Sequence, residues 1–269
     1  MTPLDFDFMA GMLKQRSGLI ITRDKQYLLE SRLIPLARKR GLGGLDDLVK
    51  KIRSGGDEAL LRDVTEAMTT NESFFFRDNK PFDIFKAETL PAFLKARADR
   101  RQIKIWSAAC STGQEAYSLA MILREEQAKT AGWRIEITGT DLSSEVLEKA
   151  KVGLYSQFEV QRGLPIQMLI KYFQQVNEMW QIDAALRAMV KYRQFNLLED
   201  LGALGTFDII FCRNVLIYFD NETKAKVLER MAKIMPKDGV LFLGGAETVL
   251  GVTERFKPVQ GQRGVYALA

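Results

Sequence analysis

Histidine is absent from the 269 residues of this chain. That removes the commonest general base, the Ser-His pairs and most zinc sites at once. Chemistry here has to run on carboxylates, Tyr, Arg, Lys, Cys or a cofactor, and a reaction that needs no strong protein base is favoured. Cysteine is scarce: Cys110 and Cys212 cannot build a disulfide framework or a multi-cysteine metal site, so no metal is expected. Both fall at the ends of predicted strands and read as small buried thiols in a reducing compartment. No apolar run approaches the ~18 residues of a membrane-spanning helix. The first residues, MTPLDFDFMAGM, carry acids where a signal peptide would be positive. A soluble, cytoplasmic protein without membrane insertion is the expectation.

What is present is an ordinary globular composition, 46% hydrophobic, with a net charge of +5. A sizeable core can be buried. The charge is uneven. Between Lys14 and Arg53 eleven basic residues face four acidic ones, which favours an acidic partner for that region, although most charged helix faces are only solvated.

Residues 1 to about 70 read as helices only. Phe6, Met9, Met12 and Leu13 form one apolar stripe; Leu28, Leu29, Leu33, Leu36 and Ala37 form a second, ended by Gly41 and Gly43. Leu45, Leu48, Val49 and Ile52 form a third, ended by Gly55-Gly56, and Asp57 reads as the N-cap of a fourth helix through Leu60, Leu61, Val64, Ala67 and Met68. Three consecutive phenylalanines, Phe74–Phe76, follow between polar residues Asn71, Ser73 and Arg77. They read as an aromatic plug between two domains. Helical segments are expected at Asp83–Glu88 and Pro91–Ala98.

The rest is organised around Lys104–Ala120, KIWSAACSTGQEAYSLA. An apolar strand runs into a string of small residues and then a helical pattern, the opening of a nucleotide-binding α/β sheet, where ligand and backbone approach closely. A bland strand-to-helix turn fits that stretch equally well. The next strand, Arg134–Asp141, ends in an acid. Asp141 is placed to accept hydrogen bonds from ribose hydroxyls, or to cap the helix that follows; both readings are compatible. From Gly153 to about Arg193 the rhythm breaks into a small, partly antiparallel element that includes a strand-like run from Ala188 to Phe195. It resumes with buried strands at Phe207–Cys212 and Gly239–Gly244, and Phe256–Leu268 reads as a terminal hairpin.

Four pieces thus reach strand carboxyl ends: 107–115, 141, 196–197 and 213–218. Taken with Thr70-Asn71…Phe75-Phe76-Arg77, Trp106-Ser107-Ala108…Ser111-Thr112-Gly113-Gln114-Glu115…Tyr117-Ser118, Asn196-Leu197-Leu198 and Phe211–Phe219, the chain resembles the chemotaxis receptor methyltransferase (CheR) family. These are S-adenosylmethionine-dependent protein-glutamate O-methyltransferases. The resemblance covers nearly the whole chain. It implies an α/β fold: a seven-stranded, Rossmann-like methyltransferase sheet with a small inserted β-subdomain at about 153–195, preceded by an all-α N-terminal domain. The implied organisation is a receptor-contacting helical domain at 1–70, a linker and interdomain segment at 71–98 and the methyltransferase domain at 99–269.

By match to the family's motifs, Asn71, Ser73 and Arg77 reach the cofactor from the interdomain side. Glu115 and Asp141 hold the adenosine moiety, and Asn196, Leu197, Arg213 and Asn214 complete the pocket. Arg77 and Tyr218 lie closest to the transferred methyl as the catalytic pair. Residue logic keeps plainer roles open for those two: an interdomain salt bridge for Arg77 and a core tyrosine with a bonded hydroxyl for Tyr218. Ser73 stands where the family commonly has threonine, and Gln114 and Ala116 where Glu and Pro are common. The implied products are S-adenosylhomocysteine and glutamyl methyl esters on the cytoplasmic domain of a chemoreceptor. The loop Phe173–Trp180 is short and lacks glycine, so a receptor C-terminal peptide tether is not expected to be required.

The residues leave three rivals. One is a methyltransferase of another substrate class; the Asn-Pro-Pro-Tyr signature of amino-methylating DNA enzymes is missing, and nucleic acid is not expected as a partner. The second is a cofactor-binding scaffold without turnover, disfavoured by the joint presence of Arg77, Asp141 and Tyr218. The third, a nicotinamide-dependent dehydrogenase, is disfavoured by the glycine-poor loop.

Overall fold

The computed structural model describes residues 1–55 and 57–269; Gly56, expected as part of a helix stop, lies outside the described residues. The chain divides into two units, Met1–Thr70 with Tyr218–Thr223, and Asn71–Ile217 with Lys224–Ala269.

The first unit is helical, as its stripes require. Its helices span Pro3–Ser17, Gln26–Lys39, Leu45–Arg53 and Glu58–Ala67, with a 3-10 turn at Arg23–Lys25. Thr2 and Asp5 form a reciprocal capping box at the first helix, and Gly18 ends it at φ 77°. Asp57 caps the fourth as expected, its Oδ1 accepting from Leu60 N at 2.6 Å. Phe6, Met9, Leu13, Leu29, Leu33, Ala37, Leu48 and Val64 meet in one core. The segment 218–223 closes on the first helix: Ile20 N donates to the Tyr218 carbonyl at 2.9 Å, and Lys14 pairs with Asp220 at 2.6 Å.

The second unit is a seven-stranded sheet with a three-stranded insert. Its strands are β1 Gln102–Ala108, β2 Arg134–Asp141, β3 Leu154–Ser156, β4 Phe173–Val176, β5 Met179–Ile182, β6 Val190–Gln194, β7 Ile209–Cys212, β8 Val240–Leu243, β9 Phe256–Pro258 and β10 Val265–Leu268. The large sheet runs β6-β2-β1-β7-β8-β10-β9. The pairs from β6 to β8 are parallel, and β10 is antiparallel to both β8 and β9. In register, Trp106 faces Thr138 on one side and Ile210 on the other. The inner strands β7 and β8 are continuous apolar runs, as strands buried on both faces are; Phe211 stacks on Phe242 with centroids 4.3 Å apart. The strand starts are bolted by Arg97, whose Nε donates to Asp208 at 3.0 Å while Nη1 and Nη2 grip Asp238 at 2.5 and 2.6 Å.

Three expectations change. The strand-like run near 188–195 is not part of the insert: β6 pairs in parallel with β2, Asp141 opposite Gln194, and forms the edge of the large sheet. The insert's own sheet is antiparallel, ordered β3-β5-β4. The two helical segments before β1 run in succession from Lys80 through Ala96, with a π-helical turn at Phe85–Thr89 just before Pro91. Proline has no N–H for the helical ladder, and a widened turn absorbs the misfit without ending the helix. Finally, Phe75 and Phe76 belong to the core of the sheet unit, Phe75 meeting Tyr155 and Phe173 edge-on and Phe76 meeting Phe82.

Candidate functional site

The parallel strands all end at one edge, where an open α/β sheet binds its ligands. The turn after β1 is held in sterically demanding backbone: Ala109, Ser111 and Gly113 have φ of 54°, 52° and 93°. Gly113 is irreplaceable on two counts. Its φ is left-handed, and a Cβ there would fall 2.6 Å from Tyr192 Oη and 3.0 Å from Ala150 Cβ. Asp141 organises the turn from β2. Its Oδ2 accepts from Ser111 N at 2.9 Å and its Oδ1 from Ser143 N at 3.0 Å. The helix after β2 starts at Ser144 with Ser143 as its N-cap, so Asp141 is not the helix cap; its carboxylate braces the turns on either side of it. Ser111 Oγ in turn donates to the Asn71 carbonyl at 2.7 Å, which ties the segment before the sheet to its central turn.

Glu115 is buried in the first turn of the helix Gln114–Glu125. Its Oε1 accepts from Ser107 Oγ at 2.7 Å and its Oε2 from Arg213 Nη1 at 3.0 Å. Burial pushes the Glu115 carboxyl up, opposed by Arg213 and by the Ser107 hydroxyl. Arg213 also donates through Nη2 to the Arg77 carbonyl at 2.8 Å and to Asp78 at 2.7 Å. Its Nε is buried with no hydrogen-bond partner among the described residues.

Asn71, Arg77, Glu115, Asp141 and Arg213 are thus brought together, largely through backbone groups and two serines. The Arg77 guanidinium donates to the Glu72 carbonyl at 2.9 Å and lies over the Phe74 ring. Ser73 is half-buried in the same segment. Past β6, Asn196 turns the chain by accepting from Leu198 N at 3.0 Å, Leu197 is buried, and Phe195 N donates to the Asp141 carbonyl. Asn214 has φ 61° at the head of the loop after β7. Tyr218, at the end of that loop, is half-buried and counts with the first unit. Burial drives both cysteine thiols well up, so Cys110 and Cys212 stay protonated and are no nucleophiles.

Glu247 was not anticipated. Its carboxylate accepts four backbone N–H groups: Asn214 at 2.8 Å, Val215 at 2.9 Å, Ile217 at 3.3 Å and Gly244 at 2.7 Å. It thereby fixes the loop that bears Arg213 and Asn214. Gly244 leaves the room: a Cβ there would lie 2.7 Å from Glu247 Oε2 and 2.9 Å from Asn214 Nδ2. The one signal in the sequence is an acid shortly after a buried strand and two glycines.

Two family models match. Residues 71–265 match the CheR methyltransferase SAM-binding domain, and residues 4–69 match the CheR methyltransferase all-alpha domain. Among curated proteins, the chain is 38% identical to chemotaxis protein methyltransferase Cher2 of Pseudomonas putida, over 97% of this chain and 96% of that one. It is 39% identical to chemotaxis protein methyltransferase 1 of Pseudomonas aeruginosa, with the same coverage of each. The chemotaxis protein methyltransferase of Vibrio anguillarum is 40% identical over 94% of this chain and 92% of its own. Among the described residues no helix is long and apolar enough to cross a membrane. With a SAM-binding domain over most of its length and such relatives along nearly all of it, the chain belongs to the CheR methyltransferase family, S-adenosylmethionine-dependent methyltransferases of chemotaxis.

Proposed function

We propose that this protein methylates glutamate carboxylates on the cytoplasmic methylation helices of chemoreceptors, leaving glutamyl methyl esters and S-adenosylhomocysteine. The observation that supports this most is the convergence of Asn71–Arg77, Glu115, Asp141 and Arg213 on one sheet edge in a chain without histidine. Glutamate has an ordinary pKa of ~4.3 and is already a nucleophile at neutral pH, so no protein base is needed.

S-adenosylmethionine supplies a methyl group that its sulfonium has already activated. The donor set suits it. Asp141 stands at the carboxyl end of β2 as an acceptor for ribose hydroxyls, and each Glu115 oxygen can accept toward the rest of the nucleoside beside its Ser107 or Arg213 partner. The buried Arg213 Nε is a donor in want of an acceptor. Asn71, Ser73, Asn196, Leu197 and Asn214 complete the pocket. Arg77 holds the acceptor carboxylate by a charge-assisted hydrogen bond. The Tyr218 hydroxyl orients carboxylate and methyl donor for in-line transfer.

The helical domain at 1–70 contacts the receptor, its basic residues steering toward acidic helices; residues 71–98 link it to the catalytic domain at 99–269, and the work is done in the cytoplasm. The turn between β4 and β5 is only Asn177-Glu178, with Asn177 at φ 55°. So tight a hairpin supports a protein that needs no grip on a receptor C-terminal peptide. Labelled S-adenosylmethionine incubated with the protein and receptor cytoplasmic fragments tests the reading. Label should enter the fragment, and replacing its accepting glutamates by alanine should abolish it; label that persists after that replacement refutes the assignment.

A further inference from the structure

Phe74 is half-buried in the second unit and has two guanidinium groups on its ring. Arg162 Cζ lies 4.4 Å from the ring centroid and Arg77 Cζ 5.3 Å. Cation–π attraction accounts for each alone. It does not account for two like charges gathered on one ring. A single residue answers both: Arg162 Nη2 donates to Glu72 Oε1 at 2.5 Å, and Arg77 Nη1 donates to the Glu72 carbonyl at 2.9 Å. Two cations against one carboxylate leave a positive excess. The Glu72 and Arg162 side chains are 56% and 40% exposed, so the ion pair is weak and exchangeable in water.

The placement of Arg162 is built into the fold. It sits between the helices Gln157–Gln161 and Ile166–Tyr172 of the insert. The next residue, Gly163, has φ +84°, and a Cβ there would fall 2.1 Å from the Phe75 carbonyl oxygen and 3.1 Å from Phe74 Cδ2. Only glycine lets this turn press on Phe74-Phe75. The Phe75 ring meets Tyr155 and Phe173 edge-on, 5.0 and 5.6 Å away, fixing the same segment to the insert's sheet. The insert thus delivers a cation to the segment that bears Arg77.

We propose that Arg162 is a second recognition cation for the acceptor: it takes a carboxylate of the methyl-accepting helix, and Glu72, itself a glutamate, holds its place until that helix arrives. This rests on the reading that receptor glutamates are the substrate and that Arg77 serves them. The exchange only swaps ion pairs. Glu72 turns to water as the incoming carboxylate takes Arg162. The insert then contributes to substrate binding without a receptor tail.

The test is steady-state methylation of a receptor cytoplasmic fragment by the full-length protein, with S-adenosylmethionine affinity measured separately by calorimetry. Arg162→Gln should raise the receptor KM about fivefold or more and flatten its dependence on salt, with no matching change in S-adenosylmethionine affinity. Arg162→Lys should recover part of the loss, since charge returns without the planar fork. Glu72→Gln, which releases Arg162, should lower the receptor KM. Arg162→Gln with the wild-type receptor KM and salt dependence overturns the proposal. So does a fall in S-adenosylmethionine affinity in step with KM, because Arg162 would then only brace Arg77. If Arg162→Gln does not fold, Glu72→Gln decides, and an unchanged or raised KM overturns it. Failure of the wild-type protein to methylate the fragment would instead remove the reading underneath.

Discussion

Glu115 and Arg213 are joined by a 3.0 Å ion pair across 98 positions of sequence, with the Arg213 side chain 1% exposed. The pair locks the loop after β7 to the turn after β1. Glu115→Gln keeps the volume and an acceptor for Ser107 but leaves Arg213 with Asp78 as its remaining carboxylate. Removing one partner of a buried pair is costly; with Asp78 left in place, a loss of about 2–3 kcal/mol in urea unfolding is expected, together with weaker S-adenosylmethionine binding. Wild-type stability in this variant would show that Asp78 alone satisfies the guanidinium.

Glu247→Gln should turn an amide toward N–H groups that now share a carboxylate. Hydrogen bonds to charged acceptors are the stronger ones, so a stability loss of about 2–4 kcal/mol is expected. The rate of methylation, corrected for folded protein, should fall as well, because the loop held by Glu247 leads directly to Tyr218. A normal rate in the folded fraction would detach this loop from turnover.

Arg77→Ala and Tyr218→Phe separate two roles. Tyr218→Phe removes one hydroxyl, and should leave S-adenosylmethionine affinity nearly intact while lowering turnover about tenfold or more. Arg77→Ala should lose more, in both turnover and receptor KM. Undiminished turnover in Tyr218→Phe would return that residue to the plain role of a bonded core tyrosine.

Acid stability is set in part by Asp220. Its hydrogen bonds to Lys14 and Thr223 hold its carboxyl far below the usual range. A lowered folded pKa gives stability that is present above the unfolded value of ~3.9 and lost as pH falls below it. Asp220→Asn should therefore weaken the protein at neutral pH and flatten its loss of stability below about pH 4. Parallel acid limbs in the two proteins, measured by urea unfolding at several pH values, would contradict this.

Much of this was legible in the sequence, for physical reasons that also explain the misses. The stretch Lys104–Ala120 declared itself because a buried strand, a small-residue turn and a helix each leave a pattern in side chains. Asp57 is legible because an acid just ahead of a helical stripe reads as its N-cap. From sequence β6 reads as part of the insert because it is an edge strand with exposed, charged residues, Lys191 and Arg193, directly after an irregular stretch. The unbroken run through Pro91 was hidden because a proline in a helical pattern reads as a stop. Phe75 and Phe76 read as an interdomain plug because the burial of an aromatic does not say in which core; they belong to that of the sheet unit. Glu247 leaves only a weak signal, an acid after a buried strand and two glycines, because its partners are backbone N–H groups, which every residue but proline has.

The central claim is that the product is a carboxyl methyl ester on receptor glutamate. The direct measurement is the alkaline lability of methyl label transferred from S-adenosylmethionine to a receptor cytoplasmic fragment. The account predicts label that is released as volatile methanol by mild base and maps to glutamate residues. Label on the fragment that survives base, as a methyl on nitrogen would, contradicts it.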